Sequence, residues 1–278
     1  MTTGARTFAN QEVLDFYRAL PFNYKASVDG AASPVRRQST PYPVLVPYLG
    51  RGARVLDVGC GAGWHTHALA YHHGCSVTGI DYNPVAIARA SAVADALSID
   101  ARYHVADLFL FVPDARFDMV LSIGVLRHTD DCVEGIRRVA GFVTERGHLL
   151  LGLYHAHGRR PFLEHFAAMK SRGASEAEML AEYKRLHSAL RDEVHVTSWF
   201  RDQVLHPHET QHTLREIVPV LEAQGMTLVS ASTNNFAPFG SPQELYDLEP
   251  GFEDLARRRL TEGKYFPGFF VALFTRSR

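Results

Sequence analysis

Long apolar runs are missing from this chain of 278 residues. No stretch approaches the roughly 18–20 apolar residues that a membrane-spanning helix needs. Cysteine is scarce: Cys60, Cys75 and Cys132 are the whole complement, an odd number without metal-ligand spacing. That argues against a disulfide framework and reads as reduced thiols in a reducing compartment. Charge of one sign is lacking as well. Lys plus Arg number 29 and Asp plus Glu 30, for a formal net charge of −1, so no global field draws the chain to nucleic acid or to anionic membrane. Met1 to Asn10 contains no apolar signal core, and a cytoplasmic protein is the expectation. Repeats and low-complexity tracts are not seen. What is present is a hydrophobic content of 46%, enough for a large core in one enlarged domain or a domain plus a lid.

The most informative stretch is Val55-Leu56-Asp57-Val58-Gly59-Cys60-Gly61-Ala62-Gly63. It reads as a buried strand that ends in a turn whose backbone comes close to a ligand. Ser76-Val77-Thr78-Gly79-Ile80 then leads to Asp81, twenty residues after Gly61. Strand, glycine turn, helix and a second strand tipped by an acid make a nucleoside-binding βαβ unit. A dinucleotide fingerprint wants a third glycine at the sixth position. Counting from Gly59 that position is Trp64, and from Gly61 it is Thr66, so both frames fail. Asp57 would also repel a pyrophosphate, whereas it suits a ligand that carries an ammonium group.

Asp57-x-Gly59-x-Gly61-x-Gly63 therefore resembles motif I of the class I S-adenosylmethionine (SAM)-dependent methyltransferases. The resemblance implies an α/β fold: a Rossmann-like, mostly parallel sheet with a reversed C-terminal hairpin. The alternation of elements agrees. Strands are expected at Arg54–Val58, Ser76–Ile80, Arg102–Val105, Phe117–Ser122 and Gly147–Leu153, and helices at Trp64–His73, Pro84–Leu97 and Asp131–Val143. Residues 1–50 read as an N-terminal helical cap segment, with a helix over Gln11–Leu20, an ordered loop or short helix within Lys25–Thr40, and a short helix at Val44–Leu49. Residues 51–155 would be the SAM-binding core. Residues 156–210, with eight basic and eight acidic residues, read as an inserted helical lid. Residues 211–278 complete the sheet, with a helix at Gln211–Gln224, a strand at Met226–Ala231, a basic helix at Phe252–Leu260 and a last strand at Phe269–Thr275.

The resemblance also assigns cofactor contacts. Gly59, Gly61 and Gly63 would present bare backbone to the methionine moiety, and Asp57 would anchor its ammonium directly or through water. Asp81 can accept both ribose hydroxyls, and Tyr82 could pack on the adenine edge. Asp107 would accept from the adenine amino group, with Leu108 walling the ring. Ile123 and Gly124 would pass beneath the sulfonium, and Tyr17, in an N-terminal aromatic group with Phe16, Phe22 and Tyr24, would fold over the cofactor.

For the acceptor side the candidates are His128, His155, His206, His208 and Arg201. Imidazoles titrate near neutrality and can take a proton from a hydroxyl, amine or thiol nucleophile. Eight of the 15 histidines lie between residues 155 and 212. Structural roles compete for each, and Arg201 is available for a substrate carboxylate or phosphate. His206, His208 and His212 have plausible metal-ligand spacing, but spacing alone does not bring three imidazoles to one point, and no metal is expected. The stretch after the fourth strand, Ser122 to His128, lacks the Asn/Asp-Pro-Pro-aromatic and Pro-Cys motifs of DNA base methylation. The expected acceptor is a small molecule, with DNA and membrane excluded and a homodimer compatible. Modification of a macromolecule such as transfer RNA, or a SAM-binding subunit without catalysis of its own, is the alternative.

Overall fold

A computed structural model describes residues 11–38, 42–190 and 192–277. Met1–Asn10 and the Ser39–Thr40 end of the Lys25–Thr40 stretch lie outside the described residues. Helices α1 (Gln11–Ala19) and α2 (Val28–Arg37) precede a 3₁₀ turn at Pro43–Tyr48. The alternating part then runs β1 (Arg54–Val58), α3 (Trp64–His73), β2 (Ser76–Asp81), α4 (Pro84–Leu97), β3 (Ala101–Val105), β4 (Phe117–Ile123), α5 (Cys132–Gly141) and β5 (Val143–Tyr154). Three helices follow: α6 (Ala156–Ser171), α7 (Glu176–Leu186) and α8 (Glu193–Phe200), which runs into a π turn at Arg201–Leu205. The chain finishes with α9 (Leu214–Glu222), β6 (Met226–Ala231), α10 (Pro242–Leu248), α11 (Gly251–Thr261) and β7 (Phe269–Arg276).

The seven strands form one sheet in the order β3-β2-β1-β4-β5-β7-β6. β1 to β5 pair in parallel, while β7 lies antiparallel between β5 and β6. This is the Rossmann-like sheet with a reversed C-terminal hairpin. Val55, Leu56, Met119, Val120, Leu149 and Leu150 are each no more than 1% exposed, as expected of strands covered on both faces. The strand order reverses between β1 and β4, so the crevice for a ligand opens at their carboxyl ends.

Three elements differ from the sequence expectation. The helix expected over Gln211–Gln224 spans Leu214–Glu222, because the Thr213 side chain caps it. The helix expected to reach Val143 stops at Gly141, because Val143 pairs with Phe117 and starts β5 four residues early. An irregularity between Phe117 and Met119 absorbs the change of register. Pro242–Leu248, where no element is expected, is helical. Its signal was Ser241-Pro242 with Glu244 three residues after the cap, a capping box that is present. Residues 156–210 carry a small core of their own, built from Phe162, Phe166, Met179, Tyr183, Leu186, Val196 and Phe200.

Candidate active site

The turn after β1 hangs on β2. The Gly59 and Cys60 N–H groups donate to the Ile80 carbonyl at 2.7 and 3.0 Å. Gly61 N–H donates to Asp81 Oδ2 at 2.8 Å, and Asn83 N–H donates to Oδ1 of the same carboxylate at 2.8 Å. Asp81 thus clamps the glycine turn from the tip of β2. The glycines differ in what requires them. A Cβ on Gly59 would overlap the Val125 side chain at 2.3 Å, and one on Gly63 would strike the His67 ring at 2.3 Å. Gly61, with φ of +53°, has nothing within 4 Å of such a Cβ. Bare backbone facing open space, expected at all three, is found at Gly61; Gly59 and Gly63 are glycine because protein packs against them.

Asp57 also departs from expectation. It is 2% exposed and accepts from Thr66 Oγ1 at 2.7 Å, behind the turn rather than on the cavity wall. A ligand ammonium would feel this charge through the turn without touching it. Burial pushes its carboxyl up to about 6; Asp81 adds to the rise and the Thr66 bond opposes it. A carboxyl raised in the folded state binds more protons there than in the unfolded chain. Its cost to stability is therefore absent below the unfolded value near 4, and grows as pH rises through about 6. Asp57→Asn is expected to raise the stability of the ligand-free protein by roughly 1–3 kcal/mol at pH 7. Urea titrations at pH 7 and pH 4 check this, and the gain should vanish at the lower pH.

A cavity of about 730 Å³ opens at the carboxyl ends of β1, β2, β4 and β5. Gly59, Gly61, Asp81, Tyr82, Asp107, Leu108, Ile123 and Gly124 stand on its wall. Asp107 accepts from the Phe109 N–H at 2.8 Å, which fixes its carboxylate at the end of β3.

The rest of the wall holds a buried ionic network. Tyr17 Oη donates to Asp202 Oδ1 at 2.5 Å, and Arg127 Nη2 donates to Asp202 Oδ2 at 3.3 Å. His128 Nε2 lies 3.6 Å from Asp202 Oδ1 and contacts Arg127 Nη1. Arg127 and Arg159 both stack on the Tyr154 ring, at 4.0 and 3.8 Å from its centroid. Burial alone would raise the Asp202 carboxyl, but Arg127, His128 and Tyr17 hold it well below the carboxylate range. Burial and then the Asp202 charge push the Tyr17 phenol well up, so it stays a donor. Burial and the Arg127 charge lower His128, which is neutral at pH 7.

The profile of a methyltransferase-domain family matches residues 49–201, more than half of the chain. This chain belongs to the class I SAM-dependent methyltransferases. The ubiquinone biosynthesis O-methyltransferase of Coxiella burnetii is 35% identical over 113 residues, 38% of this chain and 48% of that protein. The tRNA U34 carboxymethyltransferase of Aeromonas salmonicida is 34% identical over 111 residues, 39% of this chain and 34% of that protein. The chain thus spans half or less of the curated relatives named here. Magnesium protoporphyrin IX methyltransferase of Synechocystis, solved with SAH, shares the fold with a TM-score of 0.53 at 14% identity. That likeness covers 96% of this chain and 95% of the other.

The residues on this cavity wall fit SAM. Gly61 offers an open backbone face, and the Asp81 and Asp107 carboxylates keep acceptor capacity on the cavity wall. Asp57 and Asp81 are both raised by burial, a strain that a cationic ligand relieves. Tyr17 reaches the site from α1, where its carbonyl accepts from Asn83 Nδ2 at 2.9 Å.

On the acceptor side the expected residues scatter. His128 is on the wall. His206 stacks on it at 3.5 Å from behind, and His208 accepts from His128 Nδ1 through its carbonyl at 2.7 Å. Both support His128 without reaching the cavity. His155 is 2% exposed; it accepts from the Gly158 N–H at the start of α6 and pairs with buried Glu249 at 3.2 Å, a helix cap away from the cavity. Arg201 stacks on Phe16 and donates to the Phe16 carbonyl at 3.2 Å, so it pins α1 rather than a substrate. Arg127, Tyr154 and Asp202, each next to a candidate, and Gln203 line the cavity, and the sequence reading does not include them. Only Asp202 and Gln203 carry a signal, helical spacing from His195 and Trp199 that Arg201 does not share; Arg127, in a short turn after β4, and Tyr154, at the end of β5, carry none.

Proposed function

We propose that this protein transfers the methyl group of SAM to a nucleophile on a small molecule held in the cavity. The observation that carries this reading is that one cavity is walled both by the glycine turn and by the Tyr17–Asp202–Arg127 network. Its 730 Å³ suits a small ligand, for which sites are typically about 300–1,000 Å³. The two curated relatives are named for acceptors of different classes, a quinone precursor and a transfer RNA, so the substrate class rests on this cavity and on the near-neutral charge.

When bound, SAM supplies an electrophilic methyl group on a sulfonium. The chain's own part is to align, to exclude water and to take a proton. Tyr17 and Asp202 orient the nucleophile, and α1 and the helices of residues 156–205 keep solvent out, a positioning effect that dominates such transfers. His128 Nδ1 donates to the His208 carbonyl, which fixes the tautomer and leaves Nε2 as the proton-accepting nitrogen. That nitrogen meets the Arg127 guanidinium in the ligand-free protein and takes the proton of the nucleophile when the bound substrate displaces that contact. His128→Ala is expected to lower kcat by about 10²–10³-fold and to leave the KM for SAM almost unchanged. Because His128 is lowered in the folded protein, the acid limb of native kcat should lie below the ordinary imidazole value of about 6.5. A pH–rate series measures it.

The reading is tested by incubating the protein with methyl-labelled SAM and, separately, with a low-mass metabolite extract and with total transfer RNA. Label should enter the low-mass fraction and fall with His128→Ala. Label confined to the RNA would overturn the small-molecule reading.

A further inference from the structure

The cavity holds a cation that no carboxylate touches: burial lowers Lys25, and the Asp192 charge opposes this only from beyond ion-pair distance. Lys25, between α1 and α2, lines the cavity and is half-buried. Its Nζ donates to His195 Nδ1 at 2.9 Å. Among the described residues no Asp or Glu oxygen lies within ion-pair distance of it, whereas Arg127 on the same wall is paired with Asp202. The imidazole cannot supply the missing charge. Burial, and then Lys25 itself, lower His195 to about 4, so it is neutral and accepts from the ammonium. His195 Nε2 in turn donates to Asn23 Oδ1 at 2.6 Å, and Trp199 Nε1 donates to the same oxygen at 3.2 Å. The lysine is thereby held in place, with two of its three donors free of any protein acceptor among the described residues.

Beside this cation the wall is aromatic. Phe22 packs on Trp199 with centroids 4.9 Å apart, Trp199 lies 5.6 Å from His187, and His187 lies 4.0 Å from Tyr265. All four line the cavity. A half-buried ammonium with free donors next to a run of ring faces is a receptor for a flat apolar body that carries one negative group.

We propose that the methyl acceptor is such an organic anion, its carboxylate or phosphate held by Lys25 and its body laid against Phe22, Trp199 and Tyr265. The inference rests on the small-molecule reading and names the substrate class for that site. It moves the anion-binding role from Arg201, where the sequence suggested it, to Lys25.

The test uses the full-length protein loaded with S-adenosylhomocysteine, titrated calorimetrically with indole-3-acetate, with phenyl phosphate and with the neutral isostere indole-3-acetamide. At least one anion should bind about tenfold or more tightly than the amide, the scale of one charge-assisted hydrogen bond. Whichever anion shows the preference identifies the negative group. Lys25→Met should bring the ratio to near unity, Lys25→Arg should keep part of it, and neither should change S-adenosylhomocysteine affinity. Equal affinity for all three probes, no binding by any of them, or a preference that survives Lys25→Met overturns the inference and leaves the small-molecule reading standing. Failure of that reading shows separately, as salt-sensitive binding of transfer RNA by the same loaded protein.

Discussion

Asp202→Ala should unfold about 3–5 kcal/mol more easily than the native protein and lose methyl transfer altogether. The carboxylate is 2% exposed and meets three groups at once: the Arg127 guanidinium, the Tyr17 hydroxyl and the edge of His128. Arg127 is 4% exposed and cannot shed its proton. Without Asp202 it becomes a buried charge without its ion-pair partner, held by stacking on Tyr154 and by its contact with His128. Removal of one partner costs far more than removal of both. The double variant Arg127→Met/Asp202→Leu should therefore be closer to native in stability than Asp202→Ala, while remaining inactive. Urea denaturation of the native protein, Arg127→Met, Asp202→Leu and the double variant completes the cycle. Additive single effects would show that the ion pair does not hold these elements together.

The same residue shows how far the sequence could be read. The strands and glycine turn were legible because local chemistry decides them: buried parallel strands need unbroken apolar runs, and a left-handed turn selects glycine. Asp81 was legible because it stands at a strand tip a fixed distance from the turn. Val143 was misplaced, because strand pairing with Phe117 outweighs the helical pattern that leads into it. On the acceptor side the density of histidines drew attention to residue type instead of residue phase. His155 and Arg201 are chemically apt but lie off the cavity. Asp202 and Lys25 stand on its wall by virtue of helix phase and of packing between segments some 170 residues apart in sequence, as in the Lys25–His195 contact. Tertiary juxtapositions of this kind leave no local periodicity to read.

Asp81→Ala should weaken SAM binding by about 10²–10³-fold, the largest change expected on the cofactor side. Two losses add. A carboxylate facing ribose hydroxyls makes charge-assisted bonds that alanine cannot replace, each worth roughly 1.5–3 kcal/mol. The Gly61 and Asn83 N–H groups also lose their shared acceptor, and the turn that presents Gly61 to the ligand loosens. Stability should hardly follow. Burial raises the Asp81 carboxyl, so its removal relieves a desolvation cost while it orphans two donors. Asp81→Asn, which keeps one carbonyl oxygen, should fall between native and alanine. Calorimetric titration with S-adenosylhomocysteine ranks the three, and binding by Asp81→Ala within about twofold of native would remove Asp81 from the cofactor site. Asp202→Ala should behave differently in that titration. A hydrogen-bonded link from it to the turn runs through Tyr17, whose hydroxyl holds Asp202 and whose carbonyl holds Asn83. A loss of less than about tenfold is expected there, so the two acids separate donor binding from acceptor chemistry along one shared tyrosine.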